Sequence, residues 1–484
     1  MLNLMQVLRI IALLTLILCA FMLLPVLVAL FYKEYQTLSA FLIPLAGTAV
    51  LSGLFLMLSS AFKIEELSVK DGFLFVSLSW ITASLVGCLP FVISGAIPSF
   101  TDAFFEAMSG FSTTGASILT DIESLPYSLL FWRSLTHWLG GMGIVVLTVA
   151  LLPILGIGGV HLLKAEAPGP MLDKTMPRIT QTAKTLWMLY LSLTVLETLL
   201  LMFGGMSLFE ALTHTFGTLA TGGFSPKNAS VGYYSSAYIQ IVVTVFMILA
   251  GINFGLYFRA VTGRFDQVLR SSELKVYLSI FVIASAVVAI SLYGTVYTGA
   301  GESLRYAAFQ SASILTTTGY ATADFAAWPA LAKGALFFLM FIGGCSGSTG
   351  GGIKVIRVFS LIKLAMNEMK HMIHPRGIFR IRIDGEILAK KYFYPVIGFF
   401  VLYIFILLLI TLAVAAADND LLTSFSTALV TLGNIGPGFG KIGPTLNYQF
   451  FPDTIKWILS FAMMIGRLEL YTVLVLFTRE FWQQ

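Results

Sequence analysis

The sequence predicts an all-α integral membrane protein. Four tandem units, each a span, a short re-entrant helix, a turn and a second span, surround a central pore, and two extra N-terminal transmembrane helices precede them. Three observations predict this. Of 484 residues, 57% are hydrophobic and 11% charged, with a mean hydropathy of +0.89, which excludes a soluble globular class. The apolar runs are continuous and about 20 residues long, enough to cross a hydrocarbon core as helix, whereas a membrane β-barrel reads as short alternating segments. Finally, a polar, glycine-bearing turn recurs four times, each time after an apolar stretch too short to span.

Spans are expected near 10–31, 40–62, 72–96, 126–155, 183–204, 236–260, 276–298, 330–365 (interrupted), 392–416 and 452–478. The first follows a basic start at Arg9. It exceeds a signal-peptide core in length and lacks a small-residue cleavage pattern, so a retained helix is expected. Connecting segments alternate in charge. One set carries Lys63 and Lys70; Lys164, Lys174, Arg178 and Lys184; Arg259, Arg264, Arg270 and Lys275; and nine basic residues from Lys354 to Lys391. The other carries Lys33, Arg133, Lys227, Arg305, Lys333, Lys441 and Lys456. An excess of Lys and Arg marks the cytoplasmic side, which places the first set there together with both termini. The boundaries expected from this pattern are two N-terminal helices over 1–70, then units over 71–160, 161–265, 266–370 and 371–484.

The short stretches Asp102–Ser112, Leu208–Leu219, Leu304–Leu315 and Leu421–Leu432 lead into "FSTTGA", "ATGGF", "TTTGY" and "GNIGPG". Aligned on one glycine, the turns are Thr113-Thr114-Gly115, Thr221-Gly222-Gly223, Thr317-Thr318-Gly319 and Asn434-Ile435-Gly436. The aligned glycines are 108, 96 and 117 residues apart, a period longer than that of solenoid repeats, so each unit is a small domain. Non-helical backbone at membrane depth is tolerated only where it is buried in protein or lines a water-filled path. Backbone carbonyls there can replace the hydration shell of a monovalent cation. Glycine lets the backbone adopt the positive φ that such a turn needs, and the negative end of each short helix faces the ion. The turns carry no charged side chain, which argues against a divalent-cation filter and against an anion pore.

Below the third turn lies "GGCSGSTGGG": Gly343, Gly344, Cys345, Ser346, Gly347, Ser348, Thr349, Gly350, Gly351 and Gly352. Each glycine costs a helix about 1 kcal/mol relative to alanine. A run this dense exceeds a single small-residue packing seam, and the expectation is an unwound loop that acts as a gate. Arg467 sits in the middle of a span. Either it forms a structural salt bridge, with Glu469 or Glu197, or it places a positive charge beside the ion path. Cys19, Cys88 and Cys345 lie in apolar surroundings without metal or redox spacing, so buried thiols are expected. His371 and His374 read as a solvated pair in a basic loop; His137, His214 and Asn253 read as packing or hydrogen-bonding groups. No phosphate-binding glycine motif and no nucleophile set is visible, so the chain is expected to bind no nucleotide itself and not to be an enzyme.

"DAFFEAMSGFSTTGAS", "LATGGFS", "FIGGCSGSTGGGIKVIR" and "MMIGRLELYTVLVLF" resemble the Trk/Ktr/HKT superfamily of potassium transporters. The two extra spans and "LLPILGIGG…AEAPGP" resemble its bacterial TrkH and TrkG branch. The resemblance covers essentially the whole chain. It implies four M1-P-M2 units in one polypeptide, K⁺ as the transported ion, a homodimer in the bacterial inner membrane and a cytoplasmic TrkA-type nucleotide-binding regulator. It implies no nucleic-acid partner. In the family, glycine at all four filter positions goes with potassium, and serine at the first goes with sodium; here all four are glycine. Asn434 departs from the threonine of the other turns, so the fourth quadrant is expected to differ in geometry. A second reading, an ion-coupled carrier with broken helices, remains beside the channel-like one.

Overall fold

The computed structural model describes residues 2–60, 67–143, 179–388 and 392–483. The second half of the span expected at 126–155, Lys63, Lys164, Lys174, Arg178, Lys390, Lys391 and the "AEAPGP" stretch lie outside the described residues.

In lipid the backbone must satisfy its own polar groups, so each long apolar run folds as helix. The first two helices, α1 (Leu4–Phe31) and α2 (Tyr35–Ser59), pack against each other, and the Thr15 and Ser52 hydroxyls meet between them at 2.6 Å. Next comes α3 (Val69–Ile93), opened by a reciprocal cap between Ser68 and Asp71. Asp71 also accepts from the Asn3 N–H at 2.7 Å, which fastens the start of the chain to the start of the first unit.

Four short helices follow at intervals: α4 (Phe100–Phe111), α7 (Leu208–Leu219), α11 (Ala300–Leu315) and α15 (Leu421–Leu432). Three of them start on a capping side chain, from Ser99, Ser207 or Asp420. The Thr423 side chain and N–H hold the Asp420 carboxyl below its usual range. The spans that precede α7, α11 and α15 are α6 (Ile179–Phe203), α10 (Ser272–Leu292) and α14 (Phe393–Ala415).

The spans expected at 236–260 and 452–478 are broken where the sequence suggested continuous helix. The helix α5 (Tyr127–Gly141) ends at Met142, and Gly143 takes φ 73°. The span expected at 236–260 is two helices, α8 (Ala237–Ala250) and α9 (Phe254–Val261), bent by 92°. The span expected at 452–478 is also bent, by 117°, at Glu469 (φ 60°), where α16 (Asp453–Leu468) gives way to α17 (Leu470–Leu474). Between them, α12 (Ala330–Leu339) is separated from α13 (Val355–Ile373) by the glycine-rich stretch, which is unwound as expected.

Each second span packs on the short helix of the next unit. Thus α5 lies on α7, α8 on α11, and α12 meets α15 through Phe337 and Phe425, with ring centroids 6.0 Å apart. The last contact closes the circle: α16 packs on α4, and Lys456 Nζ reaches Asp102 Oδ1 at 2.5 Å. One departure from an all-α fold lies in the basic segment after α13. Strands β1 (Arg382–Ile383) and β2 (Glu386–Ile387) form a small hairpin, turned by Asp384 and Gly385, both at positive φ. Lys363 Nζ donates to Arg382 O at 2.5 Å, and Asp384 Oδ1 accepts from Ser272 N at 2.5 Å, so the hairpin is tied to both α13 and the start of α10.

Candidate functional site

All four short helices end in the same way. The residue after the C-cap is left-handed: Thr113 (φ 55°), Thr221 (53°), Thr317 (59°) and Asn434 (55°). The N–H that follows folds back onto the helix, from Thr114 to Ser109 O (2.9 Å), Gly222 to Gly217 O (2.8 Å), Thr318 to Ser313 O (2.8 Å) and Ile435 to Val430 O (2.8 Å). This is a Schellman closure with threonine or asparagine where glycine is usual. A β-branched residue in that conformation costs roughly 1–2 kcal/mol, which the surrounding packing must offset.

Two residues later the aligned glycines are again at positive φ: Gly115 (79°), Gly223 (80°), Gly319 (83°) and Gly436 (88°). A Cβ on Gly115 would lie 2.1 Å from Gly222 O, one on Gly223 2.1 Å from Thr318 O, and one on Gly319 2.1 Å from Ile435 O. A Cβ on Gly436 would lie 2.5 Å from Thr114 O. Each glycine therefore abuts the carbonyl that precedes the glycine of the next unit, and the series returns to its beginning. The four turns form a closed ring too tight for any side chain at these positions.

The backbone of the fourth turn follows the other three, contrary to the expectation drawn from Asn434. Asparagine tolerates the left-handed region better than threonine does, so the substitution leaves the path of the chain intact. The difference lies in side chains. Asn434 Nδ2 donates to Met463 O (2.8 Å) and Thr114 Oγ1 (2.9 Å), and the Tyr448 hydroxyl donates to Gly436 O (2.5 Å). Behind the first turn, buried Glu106 accepts from Arg133 Nε (2.6 Å), Ser117 Oγ (2.9 Å) and Ile118 N (2.9 Å), while the Arg133 guanidinium lies 3.5 Å from the centroid of the Phe224 ring. Nothing in the local pattern of the sequence singles out Glu106, Arg133 or Tyr448, because their partners are distant in the chain.

Next to this ring lies the glycine-rich loop. Gly351 N donates to Thr317 Oγ1 at 2.7 Å, which ties the loop directly to the third turn. The loop also fills the break between α8 and α9. Cys345 N donates to Gly251 O (2.8 Å), the Thr349 hydroxyl to Ala250 O (3.1 Å), and Phe254 N to Gly347 O (2.9 Å). Broken helix ends at membrane depth leave polar groups that need partners, and each broken element here supplies the other's. The Lys354 ammonium donates to Gly350 O.

Arg467 joins the loop to the first unit. Its NH1 donates to Thr349 O (2.5 Å), and its NH2 donates to Gly140 O and Gly141 O (2.7 Å each). Of the two carboxylates considered for it, Glu469 pairs with Arg357 at 2.5 Å, and Glu197 is fully buried beside Thr218. His137 Nδ1 meets Gly110 O (2.6 Å), His214 Nδ1 meets Glu210 O (2.8 Å), and Asn253 Oδ1 accepts from Gly255 N (2.7 Å) to open α9. The three cysteines are free and buried, and the His371 ring packs on Phe379.

This arrangement matches known proteins over its whole length. Residues 37–484 match a family described as TrkH, cation transport protein. The chain is 40% identical to Trk system potassium uptake protein TrkH of Escherichia coli (strain K12), covering 98% of this chain and 99% of that one. It is 35% identical to the TrkG protein of the same organism, covering 96% and 95%. The crystal structure of the potassium transporter TrkH from Vibrio parahaemolyticus aligns with a TM-score of 0.89 at 37% identity, covering 99% of this chain and all of that one. The broken helices, the ring of turns and these likenesses agree: the chain belongs to the TrkH family of cation transport proteins.

Proposed function

We propose that this chain takes up potassium across the bacterial inner membrane through a channel-like pore. In this reading the four units over 71–160, 161–265, 266–370 and 371–484 surround the pore. The turns at 113–115, 221–223, 317–319 and 434–436 are its selectivity filter. The observation that carries the reading is the closed cycle of glycine–carbonyl contacts, which joins the turns at the C-termini of four short helices into one ring. The printed names of its relatives, potassium uptake proteins of the Trk system, support the choice of ion.

Residues 343–352 and Arg467 are the gate. The loop touches the third turn, and the arginine fastens it to α5, which supports this reading. Control belongs to a cytoplasmic TrkA-type nucleotide-binding regulator docked on the basic block from Lys354 to Lys391 together with the 164–184 loop, and the working assembly is a homodimer with both termini cytoplasmic. Rb⁺ and Na⁺ flux into liposomes holding the purified protein, with and without a pH gradient, tests this. The expected result is Rb⁺ entry that follows its own gradient and greatly exceeds Na⁺ entry. The bends of 92° and 117° favour the second reading, a carrier working by alternating access, and Rb⁺ accumulation driven by the pH gradient alone would establish it instead.

A further inference from the structure

The glycine-rich loop and the helix that leaves it are fastened by one carboxylate from a different part of the chain. Glu273, in the first turn of α10, accepts through Oε1 from Ser346 N at 2.7 Å and from Ile356 N at 3.3 Å. Ser346 lies inside the loop, and Ile356 is the second residue of α13. A helix N-terminus exposes N–H groups without internal partners and carries a partial positive charge. The residue before α13, Lys354, cannot cap it, since an ammonium has no acceptor; its Nζ donates to the Gly350 carbonyl instead. The acceptor that α13 lacks locally is supplied by α10. Glu273 is 8% exposed, so water competes little for these bonds.

The neighbour of Glu273 connects this clamp to the cytoplasmic side. Ser272 N donates to Asp384 Oδ1, and Ser272 Oγ accepts from Asp384 N at 3.2 Å, so the β1–β2 hairpin is anchored one residue away from the clamp. The hairpin is also bound to α13 through Lys363 and Arg382. A displacement of the hairpin therefore pulls on α13 directly and on Glu273 through Ser272.

We infer that Glu273 is the positioning residue of the gate: it pins the loop and the start of α13 in the obstructing arrangement, and opening requires its release by way of the hairpin. This rests on the reading of residues 343–352 as the gate.

The test compares Rb⁺ flux, without regulator, for the parent, Glu273→Ala, Glu273→Gln and a loop shortened within 346–350. Glu273→Ala removes the acceptor, and its flux is expected to rise about tenfold with the Rb⁺/Na⁺ ratio unchanged. Glu273→Gln keeps a carbonyl oxygen at the same place and is expected to restore flux to near the parent's, a rescue that mere loss of folding would not produce. Exchange of the Ser346 and Ile356 amides with deuterium is expected to accelerate in Glu273→Ala while the amides of α10 stay protected. If the shortened loop conducts faster and a folded Glu273→Ala does not, the clamp is overturned and the gate stands. If neither conducts faster, the gate reading fails and takes the clamp with it. Should Glu273→Ala not fold, Glu273→Asp, one methylene shorter, carries the same comparison, and parental flux and amide protection in it would overturn the clamp.

Discussion

The side-chain amide of Asn434 donates to the Thr114 hydroxyl at 2.9 Å, joining the last turn of the ring to the first across 320 residues of sequence. A threonine at 434, matching the other turns, is too short to keep this bond and the one to Met463 O. Asn434→Thr is expected to lower stability by about 2 kcal/mol, the worth of two hydrogen bonds, read as a reduced thermal midpoint in detergent. An unchanged midpoint would mean that the ring closes through its backbone alone.

Gly115→Ser introduces a Cβ where the Gly222 carbonyl already stands, at a φ of 79° that costs an L-residue roughly 1–2 kcal/mol. One quadrant must shift, and the Rb⁺/Na⁺ flux ratio is expected to fall by about tenfold. An unaltered ratio would remove this glycine from the filter.

Arg467→Ala removes the links from the loop to Gly140, Gly141 and Thr349. Rb⁺ flux without regulator is expected to rise severalfold with selectivity retained. Arg467→Lys is expected to rise nearly as far, because a single ammonium cannot reproduce a planar fork that reaches three carbonyls on two elements. Parental flux in both variants would return Arg467 to a purely structural role.

Glu106→Gln leaves the Arg133 guanidinium, 2% exposed, without its carboxylate. Breaking such a buried pair from one side costs about 3–5 kcal/mol. The variant is expected to unfold at markedly lower temperature, and the double variant Glu106→Gln, Arg133→Met is expected to recover part of the loss. A midpoint equal to the parent's would show that the pair contributes nothing net.

Reversing charge at Lys363, Lys370 and Arg380 is expected to abolish capture of a purified TrkA-type regulator by the immobilised protein. Capture at parental levels would leave the basic segment with topology as its only role.

The four turns were legible because glycine and threonine recur after stretches too short to span, and the glycine run announced its own break. The bends at 251–253 and at Glu469 were not, because both helix pairs remain apolar enough to pass as continuous spans. The breaks are stabilised by donors and acceptors on distant segments, as when Cys345 serves the Gly251 carbonyl, and such partners leave no local pattern. Glu273 was missed for the same reason. Its two acceptor bonds span 73 and 83 residues, and at the start of a span it looks like any acidic residue in a first helical turn. For Arg467 the sequence left open a carboxylate partner or a place beside the ion path; its hydrogen bonds to the Thr349, Gly140 and Gly141 carbonyls could not be read there, because every residue carries that acceptor and no motif can flag it.

The way the loop fills the break between α8 and α9 has a consequence for conduction as a physical event. While the loop is in place, the Ala250 and Gly251 carbonyls are served by protein donors, and the site needs no solvent. When the loop withdraws, those oxygens and the loop's own amides lose their partners together, at a depth where an unsatisfied polar group costs kilocalories. Water, or for the carbonyls a passing cation, can take their place. If the loop is the gate proposed above, opening is a wetting transition, in which the energy is set as much by the molecules that enter as by the chain that leaves. On the proposed reading of residues 343–352 as the gate, its equilibrium would then answer to the chemical potential of water, and so to osmotic strength.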